Sequence, residues 1–264
     1  MALDVVVVCD GDAARTKGLL ANVLDPRLRI VEQPQTGVCA ARNRGVAVTA
    51  NPWVVFLDDD DSARPTWLEL LARGATGAGV DVVTARLAFW EGDRIAEVRD
   101  CRLSPGDPTM GASTILPGGF AVRREVFESV GGYDESLTYS ENQDLGLRIL
   151  DDPRTAGVVV RHVPEVVVDF HREAASARVR RYRSAPADSA RLFLARYARR
   201  FEGDRQATAS FLRLIARSER HEHRRSAAVT AALQACRIQP TSWENYRSLA
   251  ASVLPAPDPG RRDP

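Results

Sequence analysis

Trp53-Val54-Val55-Phe56-Leu57-Asp58-Asp59-Asp60-Asp61 is the stretch on which the reading of the fold turns. Five apolar residues, rich in valine and aromatics and too few for a helix, read as a buried strand. The strand runs straight into four carboxylates, and the carboxyl end of a strand is where an open α/β sheet binds ligands. Four adjacent negative charges repel one another unless something positive neutralises them. Carboxylate oxygens suit a hard divalent ion, Mn²⁺ or Mg²⁺, and such ions hold the phosphates of a nucleotide. The alternative is a solvated acidic turn that caps the helix starting near Pro65.

Working outward, the same alternation continues in both directions. Leu3–Cys9 is a β-branched run ending in Asp10-Gly11-Asp12, read as a parallel strand covered on both faces. Leu28–Val31 is a second strand, followed by a Pro34/Gly37 turn and a helix from Val38 to Val48. Downstream, Trp67, Leu68, Leu70 and Leu71 open an amphipathic helix, Val80–Arg86 is a strand, and Leu87–Arg102 is a hairpin or an insertion. After a Gly- and Pro-rich loop come a strand at Phe120–Val122, a short helix at Arg124–Val130 stopped by Gly131-Gly132, a helix at Leu145–Leu150, and strands at Val158–Val160 and Val166–Phe170. Beyond Pro186 the pattern is helical only. The expected organisation is a mostly parallel α/β domain over residues 1–184, an all-helical region over 185–254, and a proline-rich disordered tail over 255–264.

Composition narrows the class. The chain has 264 residues, 44% hydrophobic and 27% charged, which excludes disorder, collagen and coiled coil. No window approaches eighteen consecutive apolar residues, and the N-terminus lacks the features of a signal peptide, so a cytoplasmic protein is expected. Cys9, Cys39, Cys101 and Cys236 are widely spaced and form no zinc pattern. The net charge of +1 conceals an asymmetry: residues 1–171 carry 17 basic and 26 acidic side chains, and 172–225 carry 15 basic and 6 acidic. Lys17 is the only lysine; arginine suits bidentate contacts to phosphate or carboxylate.

Three further segments bear on a ligand site. Asp10-Gly11-Asp12 can accept a hydrogen bond from a base or ribose, or is a plain turn. Arg42 could reach a pyrophosphate, or is a surface residue. Gly118-Gly119 lets backbone approach a ligand, or only turns the chain. Together with the aspartates, VVVVCDGD (5–12), TGVCAARNRGVAVTANPWVVFLDDDD (36–61), PGGFAVRREVFESVGGYDESL (117–137) and SENQDLGLRI (140–149) resemble the family 2 glycosyltransferases, inverting enzymes of the GT-A fold.

The resemblance implies a nucleoside diphosphate sugar donor, a divalent metal held by a DxD motif, a hydroxyl-bearing acceptor and one carboxylate as general base. It implies that Asp10 reads the nucleobase, that Asp58 and Asp60 form the DxD pair and hold the metal, and that His171 lies near the metal and the acceptor. Asp59, Arg42 and Gly119 complete the expected donor contacts. The chain departs from the pattern where Asn142 replaces the aspartate expected as base, because an amide cannot take a proton. Glu141 is then the expected base, with Asp144 as the other candidate or as a helix anchor paired with Arg148. The second departure is at the start, where the family has an additional strand and helix before residues 3–8; an upstream extension or another segment is expected beside that strand.

Arg178–Arg183 follow His171 and are expected either to close over the diphosphate or to be a solvated helix start. The basic helical region is expected to meet an acidic acceptor, an anionic membrane surface or a second copy. Nucleic acid is not expected, because aromatics do not interleave with the arginines. A catalytically weak or inactive nucleotide-sugar-binding module, and a nucleotidyltransferase, are the competing readings.

Overall fold

The computed structural model describes residues 3–171 and 186–254. The chain divides into two compact units, Met1–Asp107 with Gly111–Arg172, and Pro108–Met110 with Glu173–Pro264. The expected boundary near residue 184, the Arg178–Arg183 segment and the tail at 255–264 lie outside the described residues.

In the first unit, β1 (Val5–Asp10) and β2 (Leu28–Gln33) pair in parallel, with Val5 opposite Leu28 and Asp10 opposite Gln33. Helix α1 (Ala13–Leu20) connects them, its first turn capped by the Asp12 carboxylate accepting from the Arg15 N–H. The valine run was expected to be covered on both faces, yet only Cys9 is buried in β1, Val5 is 40% exposed and α1 buries no residue. Among the described residues β1 pairs with β2 alone, and α1 leaves one of its faces open.

The second sheet runs β3 (Trp53–Val55), β7 (Phe120–Arg123), β5 (Val82–Glu91), β8 (Val160–His171), β4 (Ser62–Ala63), with β6 (Arg94–Asp100) on β5. The α/β class stands, but the expected predominance of parallel pairing is corrected. Among the described residues only β1–β2 and β5–β8 are parallel; β3–β7, β5–β7, β5–β6 and β4–β8 are antiparallel. A parallel neighbour needs a crossover of a dozen or more residues, whereas β6 returns from β5 by a tight hairpin. The two strands expected at 158–160 and 166–170 are one. Pro164 falls where the β5–β8 register shifts, and a proline at a bulge reads in sequence as a break.

Side chains alternate across this sheet as the two-residue strand period requires. Val83, Ala85, Leu87 and Phe89 of β5 pack with Leu70 and Leu71 of α3 (Trp67–Ala75). Val82, Phe120 and Val122 point the other way, onto Phe127 of α4 (Arg124–Ser129), Cys39 and Val46 of α2 (Val38–Ala47), and Leu145 and Ile149 of α5 (Glu141–Asp151). Gly119 belongs to this packing. A Cβ there would lie 2.3 Å from the Sγ of buried Cys101, and its N–H and C=O are bonded to Leu116 and Ala85. The expected donor contact at Gly119 is therefore corrected: the glycine is required by close approach to the core, not by a ligand.

The second unit stacks α6 (Pro186–Arg196), α7 (Ala198–Glu202), α8 (Arg205–His221), α9 (Arg225–Ile238) and α10 (Trp243–Val253). Ala209, Leu212, Ile215 and Ala216 of α8 pack with Ala231, Ala232 and Ala235 of α9, and these small residues allow close helix approach. Glu219, nearly fully buried, is held by both Arg191 and Arg224. Its partners outweigh burial and keep the carboxyl below its ordinary range. Among the described residues no helix is long and apolar enough to cross a membrane.

Candidate active site

The loop after β3 brings Asp58, Asp60 and Asp61 together, with one carboxylate oxygen of each within 4.8 Å of the others. Asp59 is exposed and does not belong to this group. Asp61 is tied in at one oxygen, Oδ1, which accepts the His171 N–H at 3.1 Å; its Oδ2 is buried with no hydrogen-bond partner among the described residues. Burial first, and then the charges of Asp60, Asp58 and Asp59, push the Asp61 carboxyl up to about 7 against the His171 N–H.

Arg42 of α2 joins this loop to α5. Its guanidinium, 9% exposed, donates to Asp58 Oδ1 at 2.6 Å and to Glu141 Oε1 at 3.2 Å, and lies over the Tyr133 ring at 5.1 Å. Burial works to lower the guanidinium pKa, but Tyr133, Asp58 and Glu141 outweigh it and hold the group above its ordinary range. The neighbouring Asn43 explains why the loop is in place: it donates to the Tyr133 carbonyl at 2.9 Å and accepts the Tyr133 N–H at 2.8 Å. Tyr133 packs its ring on Phe56 and Phe127 and donates its hydroxyl to Asn142 Oδ1 at 2.9 Å.

Glu141 opens α5 directly after Ser140, a non-glycine residue at φ 60°. Left-handed backbone at a serine costs energy, and such strain is found where side-chain placement is constrained. Asn142 Nδ2 donates to Glu141 Oε1 at 2.8 Å, so Arg42 and Asn142 both hold one oxygen, and Oε2 carries no hydrogen bond among the described residues. That is the arrangement a base needs, with one oxygen fixed and the other available. Asp144 is different. Its side chain is fully buried and bonds Arg148 Nε at 2.7 Å, while Arg148 also bonds the Val130 carbonyl. The expectation of Asp144 as a base is corrected to an anchor of α5, because a wholly buried, paired carboxylate makes no contact with an acceptor.

Asp10 lies at the carboxyl end of β1, where its oxygens are already bonded within the chain. Oδ1 accepts from the Thr36 N–H at 2.7 Å and Gln33 Nε2 at 2.9 Å, and Oδ2 from the Gly37 N–H at 2.9 Å. Burial raises its carboxyl, but these donors outweigh burial and leave it below its ordinary value. Asp10 thus clamps the turn that starts α2, where Gly37 takes φ +102°.

His171 is exposed, and its imidazole is not among the grouped metal-ligand atoms. Its Nε2 lies 3.2 Å from Ser62 Oγ, and its ring stacks beside Trp90 with centroids 6.4 Å apart. Trp90 follows a register shift in β5, donates its indole N–H to Asp169 at 2.8 Å, and shares that carboxylate with Arg64. Arg64 first, then Trp90, keep Asp169 below its ordinary range against burial. The sequence reading passed over Trp90, Asp169, Tyr133 and the role of Asn43. A tryptophan ending a strand, and an Asn beside a site arginine, were the available signals.

Asp58, Asp60 and Asp61 fit a divalent ion, since all donors are oxygen and Asp61 Oδ2 is an orphaned buried acceptor. Without a cation this fit has a cost. A carboxyl raised to about 7 in the fold loses stability as pH rises from the ordinary 3.8 through 7, because ionisation is penalised only in the folded chain. Discounted for its partial exposure, the cost at pH 8 is about 1–2 kcal/mol. In chelator at pH 8, Asp61→Asn is expected to melt about 2–6 °C above the native chain, and to show a smaller Mn²⁺-induced rise. A lower melting temperature for the variant in chelator contradicts this account.

The family model "Glycosyl transferase family 2" matches residues 1–131. The chain is 34% identical over 88 residues to the succinoglycan biosynthesis protein ExoO of Rhizobium meliloti, covering 33% of this chain and 25% of that one. It is 28% identical over 177 residues to a pre-mycofactocin glycosyltransferase of Mycobacterium tuberculosis, covering 63% of this chain and 37% of that one. The chain thus spans about a quarter to two fifths of the length of these relatives. Among solved structures, S. aureus TarS 1–349 with UDP-GlcNAc superposes with a TM-score of 0.57 at 16% identity, covering 94% of this chain and 70% of that one, and shows the GT-A fold. Residues 1–131 thus match glycosyl transferase family 2, on a chain whose fold is of the GT-A class.

Proposed function

We propose that the chain transfers a sugar from a nucleoside diphosphate sugar to a hydroxyl acceptor by a single in-line displacement that inverts the anomeric carbon. The observation that carries this reading is the Arg42 guanidinium, which binds Asp58 of the aspartate loop on one side and Glu141 on the other. On this reading the base and the diphosphate-binding loop stand side by side. Glu141 takes the acceptor proton at Oε2 as the hydroxyl oxygen attacks; Arg42 and Asn142 keep the carboxylate oriented by holding Oε1. Asp58, Asp60 and Asp61 would hold Mn²⁺ or Mg²⁺, which when bound supplies positive charge toward the departing diphosphate. The Trp90–His171 pair, tied to Asp61 through the His171 N–H, offers an aromatic surface suited to an acceptor ring. The solved relative's complexes with UDP-GlcNAc and with UDP support a uridine diphosphate donor.

Asn142 at the expected base position favours one other reading, a module that binds a nucleotide sugar without turnover. Nucleoside diphosphate release from UDP-, GDP- and dTDP-sugars separates the two. One donor class is expected to give release with Mn²⁺ that chelation suppresses and that Asp60→Ala lowers tenfold or more. A donor that protects the chain against melting yet gives no release with any acceptor offered establishes the binding module instead.

A further inference from the structure

Helix α10 packs Leu249 on the apolar core of α8 and α9, yet its buried side also carries polar residues. Asn245 is fully buried, Ser252 is 2% exposed, and Ser252 donates to the Ser248 carbonyl. Asn245 is fully used, donating to the Ala235 and Gln239 carbonyls at 2.9 and 2.8 Å and accepting from Arg213 at 2.6 Å. Asn245 and Leu249 therefore lie on the side that docks α10 on α9. Its outer side carries Trp243 at 73% exposure, Tyr246, Val253 and, just past the helix, Leu254 at 60%. At 100° per residue these fall with Ala250 and Arg247 on one face. A free surface of a water-soluble unit normally shows the reverse order.

The charges around this face say what covers it. Arg247 sits within it, and Glu244 is taken by Arg213 at 2.9 Å. At one end Arg225 bonds the Val253 carbonyl; at the other, exposed Arg237 lies one turn beyond exposed Leu233 on α9. Two copies placed face to face would bring two sets of these arginines together while Glu244 is already engaged by Arg213, which opposes such an interface. Tryptophan and tyrosine with an apolar body and a polar tip, ringed by arginine, match the boundary between acyl chains and anionic headgroups. We infer that the outer face of α10 docks on an anionic lipid bilayer, with Trp243 and Tyr246 at the acyl boundary and Arg225, Arg237 and Arg247 at the headgroups. This needs nothing from the donor site.

The test is co-sedimentation of the full chain with vesicles of phosphatidylcholine alone and with about a third phosphatidylglycerol. Binding to the anionic vesicles is expected, weakened by salt. Trp243→Ala/Tyr246→Ala is expected to lower the partition coefficient about 30-fold or more, and Arg247→Gln about fivefold. Both variants alter exposed residues and should keep the native circular dichroism and melting temperature. As a second measurement, the lipid-induced blue shift of tryptophan emission should vanish in Trp243→Phe while binding persists. Equal binding by the double variant, equal binding to neutral vesicles, or a blue shift that survives in Trp243→Phe overturns the proposal. So does a dimer that forms without lipid and is lost in the double variant.

Discussion

Glu141→Gln lowers kcat by about 10²- to 10⁴-fold, the span assigned to a positioned general base, while the KM for the donor stays within a few-fold. Glutamine keeps the shape and an oxygen for Arg42 and Asn142, which at 3.2 and 2.8 Å already hold Oε1. What disappears is the ability of the second oxygen to take a proton. The split between kcat and KM separates this from a folding defect, which would lower the amount of active chain and leave the remaining molecules normal. Single-turnover release of nucleoside diphosphate with acceptor present is the measurement. An unchanged rate removes Glu141 as the base. Recovery in Glu141→Gln/Asn142→Asp moves the role to position 142, where the side chain sits between Tyr133 and Arg42.

How much of this was legible in the sequence depends on the range of the interaction that decides each feature. The strand before Asp58 and the helices around Leu70 and Leu145 follow from local pattern, since hydrophobic spacing and flanking turn residues specify them. The direction of β7 and the single long β8 do not, because pairing partners come from far along the chain and a proline at a bulge imitates a strand end. At the site, carboxylates announced themselves by density, and Asp58 and Asp60 stand together as the run suggested. Asp61 was underrated because its orphaned oxygen results from burial beneath β8, a contact 110 residues distant in sequence. Gly119 misled for the opposite reason: a glycine pair looks alike whether a ligand or Cys101 presses on it, and only packing tells them apart.

Arg42→Met is expected to harm folding and chemistry together. Methionine preserves the apolar stem against Tyr133, so the loss is chiefly that of the cation. Asp58 and Glu141, with side chains 30% and 17% exposed, then face one another across a gap with no positive charge between them. Removing one partner of a buried pair costs about 3–5 kcal/mol, and the partial exposure of these carboxylates brings that to about 2–4 kcal/mol. For a chain of this length the melting temperature should fall by about 5–15 °C. Activity should fall further than stability accounts for when assayed well below the new midpoint, because Glu141 loses one of its two orienting contacts. Arg42→Lys separates the two effects. A lysine ammonium restores charge but is a point donor, unable to span Asp58 and Glu141 as the planar fork does. It should recover most of the stability and little of the rate. Full recovery of both by lysine would show that the charge alone matters, and that the bridging geometry of Arg42 plays no part in placing the base.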